Sequence, residues 1–487
     1  MNHKVQLLYN SEQVRELERI AIEELGIRGL VLMRRAAQAC VNELLETWPE
    51  PGVITVLCGS GNNASDGFLI AGLLAAKGLE ARLCLIGREP EQGVDAWDCL
   101  EFAISNGVSE MALDEALIDA DVIVDALLGT GISGPVRPDF SQAIRAANEA
   151  LAPILSVDLP SGLSADSGAC QGECIEADVT VTFIGRKLGL YTGDGPEYAG
   201  RIYFADLGVP SDIYSNVLAS ASCLDYGALA QSLVPRRLNA HKNNHGHVLV
   251  VGGDVGMTGA VMMAAEAALF AGAGLVSVAT RDVSAILARR PEIMAREVHE
   301  VDVLRELISR ATVVLLGPGL GVGEWGRALF DEVLSGTIPL VIDADGLNLL
   351  AQIPQKRVDW VLTPHPGEAS RLLRRRDIQA DRPTVARELV QKFGGTILLK
   401  GAGTLVAADD ELFICPFGNP GMSVGGMGDV LGGVIAALIA QGLALSEATS
   451  LAAVVHSLAA DYLVDRQGER GLLATELLPV IRRLVNP

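Results

Sequence analysis

Positive charge is what this chain has little of. Its 487 residues carry 38 Lys and Arg against 60 Asp and Glu, a formal net charge of −22. A polyphosphate or an anionic membrane surface needs a basic face to bind, so no nucleic-acid partner and no membrane partner is expected. A small anionic ligand stays open, because backbone N–H groups can hold one locally against the overall field. Long hydrophobic runs are missing too. The longest, residues 430–445, falls short of the roughly 18 residues a membrane span needs and contains Gln441. The opening MNHKVQLLYNSEQ has no apolar core of the kind a secretory signal carries. A cytoplasmic location is the expectation.

Clustered metal ligands are also scarce. The eight cysteines are scattered, which reads as reduced thiols. Cys170 and Cys174 are the one close pair, and without a second pair or nearby histidines they read as loop thiols rather than a metal site. His241, His245 and His247 are interrupted by Lys242 and two asparagines, and read as a solvated loop.

Apolar residues, at 49%, supply ample core, and a chain of this length exceeds what one core supports. Two domains are expected, and the sequence shows two similar starts. VITVLCGSGNNASDGFLIAGLLAAKG from Val53 is a strand-like run, a polar turn and a helix pattern. HVLVVGGDVGMTGAVMMAAEAALF from His247 repeats the plan with a different turn. Continuous apolar runs are the signature of buried parallel strands, so each start opens its own α/β sheet with helices on both faces. Domains of residues 1–220 and 221–487 are expected, with a linker near 210–245 where GVPSDIYSN and VPRRLNAHKNNHG break the periodicity. Residues 10–48 read as two helices before the first sheet.

Polar residues gather where these strands end. In GSGNNASDG, Asn62, Asn63, Ser65 and Asp66 crowd a helix start that one cap residue would satisfy, and the excess points to a ligand. Asp125 with the turn Gly129, Thr130 and Gly131, and Asp158 with Ser161, close the next runs. Asn63, Asp125 and Ser161 offer only oxygens, the donor set of hard cations, although each is equally a turn former. In the second half GGMGD opens an apolar helix on glycines, so backbone N–H groups can approach a phosphate while Asp429 accepts a hydroxyl proton. Simple capping by Asp429 is the alternative. KGAGT, Lys400 to Thr404, is a strand-to-loop turn whose plain reading is a hairpin with a solvated lysine. His365, between two prolines in TPHPGE, reads as a packed loop histidine.

Several long motifs then coincide in order. GSGNNASDG, DALLGTGISGPVR, SVDLPSGL and TFIGRKLGLYTGDG in the first half, and HGHVLVVGGDVGMTGA, GPGLG, DADGLNLL, TPHPGE, KGAGT and NPGMSVGGMGDVLGG in the second, resemble the bifunctional NAD(P)H-hydrate repair enzymes. The resemblance spans nearly the whole length. It implies an N-terminal Rossmann-like epimerase domain and a C-terminal ribokinase-like dehydratase domain that uses ADP. Implied substrate positions are Asn62, Asn63, Ala64, Ser65 and Asp66, then Gly129, Thr130, Gly131, Ile132, Ser133, Gly134 and Pro135, with Asp158. In the second half they are Ala260, Gly319, His365 and Asp429. Implied nucleotide positions are Lys400, Gly401, Ala402, Gly403, Thr404 and Gly428.

The resemblance further implies K+ at Asn63, Asp125 and Ser161, Mg2+ with ADP, NADHX and NADPHX as substrates, and a homo-oligomer. Asp429 is the expected base in dehydration, and Asp158 the candidate acid/base in epimerisation. The family's usual NNGGDG is NNASDG here, which adds two Cβ atoms where close backbone approach is expected. A competing reading is a vitamin or sugar kinase of ribokinase-like fold joined to a non-catalytic dinucleotide-binding module.

Overall fold

The structure is a computed structural model and describes residues 6–132 and 134–487. Its contacts divide into two compact units, residues 7–221 and residues 222–487, the latter including Gln6. The segment expected to be a linker is not an open one. It holds the 3-10 turn Ser211–Ser215, the strand Ala221–Cys223 and the helix Tyr226–Leu229. Elements of three to five residues are too short to imprint a period on the sequence.

In the first unit Ser11–Arg19 is a helix fixed by a reciprocal cap. Asn10 Oδ1 accepts from Gln13 N at 2.8 Å, and Gln13 Oε1 accepts from Asn10 N at 2.9 Å. A π-helical turn, Ile20–Glu24, and the helix Gly29–Thr47 follow. The sheet then starts in its middle at Val53–Cys58. It winds out through Glu80–Leu85 to Ser109–Glu110, and crosses back to Val122–Ala126, Ile154–Val157, Val179–Phe183 and Arg201–Ala205. All seven strands run parallel. One face packs on Leu32, Phe68 and Leu100, the other on Phe140 and Ile144. This is the three-layer Rossmann-like arrangement, and its crevice opens between Val53–Cys58 and Val122–Ala126, where the winding reverses.

The second unit winds the same way. His247–Val251 leads out through Leu275–Thr280 to Met294–Glu297, then the chain crosses to Val313–Leu316, Leu340–Ile342, Trp360–Leu362 and Thr396–Leu399. These strands are parallel, and Thr404–Ala408 and Glu411–Cys415 extend them as an antiparallel hairpin. His247 therefore opens a strand rather than lying in a solvated loop, with Nε2 2.7 Å from Ser277 Oγ and Nδ1 3.0 Å from the Arg310 carbonyl. One face of the sheet carries the helices Thr258–Phe270, Met427–Ala440 and Leu445–Gln467.

Two of the glycines in the Met427–Ala440 helix serve packing. A Cβ on Gly433 would lie 2.1 Å from the Ala264 carbonyl oxygen, and one on Gly432 would lie 3.2 Å from Leu315 Cδ1. The helix thus presses on its neighbour more closely than any side chain allows. No helix among the described residues is long and apolar enough to cross a membrane.

Candidate functional site

The helix Asn62–Ala76 starts at Gly61 with no side chain capping it, so Asn62 and Asn63 are not there as caps. Asn62 is exposed, while Asn63 turns inward and its Nδ2 donates to the Leu128 carbonyl at 3.1 Å. Ala64 and Ser65 are each 1% exposed, and Ala64 belongs to the core. Gly129 lies against Asn63, since a Cβ there would sit 3.4 Å from the Asn63 Cβ. Gly131, Gly134 and Pro135 are exposed and Thr130 and Ile132 partly so. Ser133 lies outside the described residues.

Asp125 closes the strand Val122–Ala126 and is fully buried. Its Oδ1 accepts from Ser161 Oγ at 2.5 Å and Leu127 N at 3.2 Å; its Oδ2 accepts from Ser156 Oγ at 2.8 Å and Ser161 N at 2.9 Å. Ser161 Oγ also lies 3.2 Å from the Leu128 carbonyl that Asn63 meets. Asn63 and Ser161 therefore meet at the Leu128 carbonyl, and Asp125 joins them through Ser161. Burial holds the Asp125 carboxyl above its usual value against the four hydrogen bonds, and among the described residues it has no ion-pair partner.

Asp158 sits in the next turn in the left-handed region, at φ +67°. Its Oδ1 accepts from Phe183 N at 3.1 Å and pairs with the ammonium of Lys187, a residue with no exposed surface that also donates to the Phe183 carbonyl at 3.0 Å. Asp66 Oδ1 is buried without a partner. Burial first, then the negative charges of Asp158 and Glu18, hold the Asp66 carboxyl well above the usual carboxylate range, opposed by Lys187. One cation thus serves several carboxylates. Lys187 escaped the reading of individual residues because it hides inside an apolar motif, TFIGRKLGL, that gives no period for a charged site.

In the second unit, Asp429 lies in the first turn of a helix whose start, Gly426, is in the left-handed region at φ +94° with no side-chain cap. Asp429 makes no capping hydrogen bond, although a carboxylate in this first turn also complements the helix dipole. Burial, then the charge of Asp343, pushes its carboxyl up to about 7, opposed by Lys400. Lys400 Nζ donates to Asp343 Oδ1 at 2.7 Å, and Thr363 Oγ1 donates to the same oxygen at 2.9 Å. KGAGT does form a hairpin, between Thr396–Leu399 and Thr404–Ala408, but its lysine is paired rather than solvated. A Cβ on Gly428 would lie 3.3 Å from both Asp343 Oδ2 and Lys400 Nζ, so the glycine clears the floor beside this pair.

Glu368 lies 3.9 Å from Lys400, and burial lifts its carboxyl to about 7. His365 is half exposed. It starts the helix Pro366–Leu373, with Nδ1 accepting from Gly367 N at 2.9 Å and its own N–H donating to Glu368 Oε2 at 2.8 Å. Gly319, at φ +55°, would put a Cβ 2.7 Å from Met257 Cβ and 3.4 Å from Ala260 Cβ, which brings the two expected substrate positions together. Gly401 and Ala402 are exposed, Gly403 and Thr404 partly so. Asp343 and Glu368 are the residues sequence reasoning passed over. Both stood inside quoted motifs, but a lone Asp or Glu after a strand looks like any turn or cap.

These sites belong to a tandem α/β protein, Rossmann-like in its first half and ribokinase-like in its second, with a buried oxygen-donor cluster in one and a lysine–carboxylate cluster at a glycine-rich helix start in the other. The chain belongs to the family of bifunctional NAD(P)H-hydrate repair enzymes. It matches the family model described as NAD(P)H-hydrate dehydratase over residues 248–483, and the one described as YjeF-related protein N-terminus over residues 29–189. It is 45% identical over 487 residues to the bifunctional NAD(P)H-hydrate repair enzyme Nnr of Coxiella burnetii, covering 99% of this chain and 100% of that one. To the Escherichia coli enzyme of the same name it is 43% identical, over 99% of this chain and 94% of that one. A solved ribokinase-like superfamily protein from Enterococcus faecalis is 31% identical with a TM-score of 0.51, covering 54% of this chain and 94% of its own.

Proposed function

We propose that this chain repairs hydrated nicotinamide cofactors: residues 1–220 interconvert the R and S forms of NADHX and NADPHX, and residues 221–487 use ADP to dehydrate the S form to NADH or NADPH. The observation that carries the reading is Asp429, its carboxyl pushed up to about 7 at a glycine-opened helix start beside Lys400 and Asp343.

Hydroxide is a poor leaving group, and phosphorylation makes a better one. In the proposed reaction Lys400–Thr404 and Gly428 hold the nucleotide, while Ala260, Gly319 and His365 hold the hydrate. Asp429 takes the proton of the C6 hydroxyl as its oxygen attacks the terminal phosphorus of ADP, and AMP departs. Phosphate then leaves from C6, driven by the ring nitrogen's lone pair, and the dihydropyridine returns. The Lys400 ammonium and the helix-start N–H groups stabilise charge on the transferring phosphoryl oxygens. Mg2+ accompanying ADP fits the hard oxygens of Asp343 and Glu368 and would neutralise phosphate charge there.

In the first half, Asp158 held by Lys187 is the proposed acid/base group at C6. K+ at Asn63, Asp125 and Ser161 would give the buried Asp125 carboxylate the counter-charge that no side chain among the described residues supplies. Eight free cysteines accord with a reducing, cytoplasmic setting. The test gives the full chain separate R and S hydrates with ADP and follows regain of dihydronicotinamide absorbance. Both should be consumed, the R form through the S form. Accumulation of a stable phosphorylated product with no regained absorbance would replace this reading with a small-molecule kinase.

A further inference from the structure

Against the Lys400–Thr404 turn lies a buried cation that the proposed reaction does not use. Arg382 opens the helix Arg382–Phe393 and has no exposed surface. Both facts are unfavourable for a guanidinium, since burial strips it of water and the start of a helix is the positive end of the dipole. An apolar side chain would fill the same space at less cost. The bonds of this guanidinium run to the turn that is expected to take the nucleotide.

Nη1 of Arg382 donates to the Lys400 carbonyl at 3.2 Å and to Gln379 Oε1 at 3.0 Å, and Nη2 donates to the Leu399 carbonyl at 3.3 Å. The fork thus grips two consecutive peptide groups where the strand Thr396–Leu399 ends. Lys400 N donates to the Pro364 carbonyl at 2.9 Å, so the Lys400 backbone is held at both its N–H and its carbonyl while its Nζ reaches Asp343 Oδ1 at 2.7 Å. The next residue, Gly401, has φ +142°, and a Cβ on it would fall 2.6 Å from Nη1 and 3.0 Å from Cζ of Arg382. A glycine is needed for the turn to lie directly on the guanidinium. Thr404 Oγ1 donates to the Gly401 carbonyl at 2.9 Å and closes the turn.

We propose that Arg382 is a positioning residue for the nucleotide: its fork fixes the Leu399 and Lys400 carbonyls and so holds the Lys400–Thr404 turn ready for ADP. A turn already ordered loses less freedom on binding, so Arg382 acts on nucleotide affinity more than on the chemical step. Lysine cannot replace it, because a point charge on a flexible stem does not hold two carbonyls and Gln379 in a fixed fork.

The proposal rests on the reading of the second unit as an ADP-using dehydratase, and binding and turnover are measured separately so that each can fail alone. ADP binding to the full chain is followed by calorimetry, and S-hydrate conversion by regained absorbance over a range of ADP concentrations. Arg382→Lys should weaken ADP binding and raise the KM for ADP about tenfold or more, as loss of a hydrogen bond from a charged group does. At saturating ADP kcat should stay within about threefold of the parent, because Asp429 and Lys400 remain. A side chain that only filled the interior would not separate the two constants. Gln379→Ala gives a second route, since Gln379 is exposed and its loss removes one bond to the guanidinium without emptying the interior. It should weaken ADP binding about threefold with kcat level. ADP binding within about twofold of the parent in folded Arg382→Lys, or a fall in kcat with unchanged ADP affinity in either variant, overturns the proposal. Where Arg382→Lys does not fold, unchanged ADP binding by Gln379→Ala overturns it. A parent that binds ADP yet converts no S-hydrate would instead defeat the dehydratase reading, and the binding constants would still decide the role of Arg382.

Discussion

The two units wind their sheets in the same order yet put their chemistry in different places. In the first, Asn63, Asp125 and Ser161 stand at strand ends on either side of the reversal, and the crevice itself holds the polar groups. In the second, the reversal is lined by glycines such as Gly319, which clear space against Met257 and Ala260. Its polar groups come from strands farther along, with Asp343, Thr363 and Lys400 following Leu340–Ile342, Trp360–Leu362 and Thr396–Leu399. Asp429 is added by a helix after the sheet. A reversal of winding therefore supplies a crevice in both, but not the reacting groups. The electrostatics differ in the same sense. Among the described residues Asp125 is buried with no cation beside it, whereas Lys400 is shared among Asp343, Glu368 and Asp429.

The largest expected effect is on the second unit alone. Asp429→Asn keeps a polar side chain of the same shape but removes the base, and should lower dehydration about 100- to 10,000-fold. Single-turnover rates with S-hydrate and ADP measure it, and a rate within a few-fold of the parent would return Asp429 to a structural role.

The two lysines sharpen the contrast. Lys187 has no exposed surface and Lys400 is about a fifth exposed, at 21%. Lys187→Met leaves a buried carboxylate uncompensated and should cost about 3–5 kcal/mol in urea unfolding. Lys400→Met should cost clearly less stability while lowering dehydration more. Equal unfolding midpoints for the two variants would contradict the difference in burial.

A smaller effect is expected at the oxygen cluster. Asp125→Ala removes its one formally charged member and should raise the K+ concentration needed for epimerisation, leaving dehydration level. If the parent's epimerisation is the same in K+ and in a bulky organic cation, those side chains are turn formers only.

The least dramatic prediction concerns pH. Burial and Asp343 put the Asp429 carboxyl at about 7, and a base acts only when ionised. Dehydration should therefore rise with pH through about 7 and level off above it, and Asp429→Asn should lack that limb. An acid limb retained unchanged in the variant would assign it to another group, Glu368 being the first to examine.

Much of this was legible in the sequence. Continuous apolar runs announced two parallel sheets, and the polar excess at Asn62 and Asn63 announced a helix start that nothing caps. What stayed hidden depended on contacts between distant residues. Lys187 matters only because the chain brings it to Asp158, and Asp343 because it meets Lys400 57 residues on. The glycine run of the Met427–Ala440 helix looked like one device and proved to be two, with Gly428 clearing the site and Gly433 admitting the Ala264 backbone. Ala64 and Ser65 looked like a departure within a ligand loop, and both prove to be buried in the first turns of the helix, Ala64 against the core.

The most direct test of the division of labour uses Asp158→Asn in the full chain, with R-hydrate and S-hydrate supplied separately and ADP in excess. The account predicts that S-hydrate is converted at the parent rate while R-hydrate falls to its uncatalysed rate of interconversion. Conversion of R-hydrate at the parent rate would contradict the assignment of Asp158 as the group that interconverts the two forms.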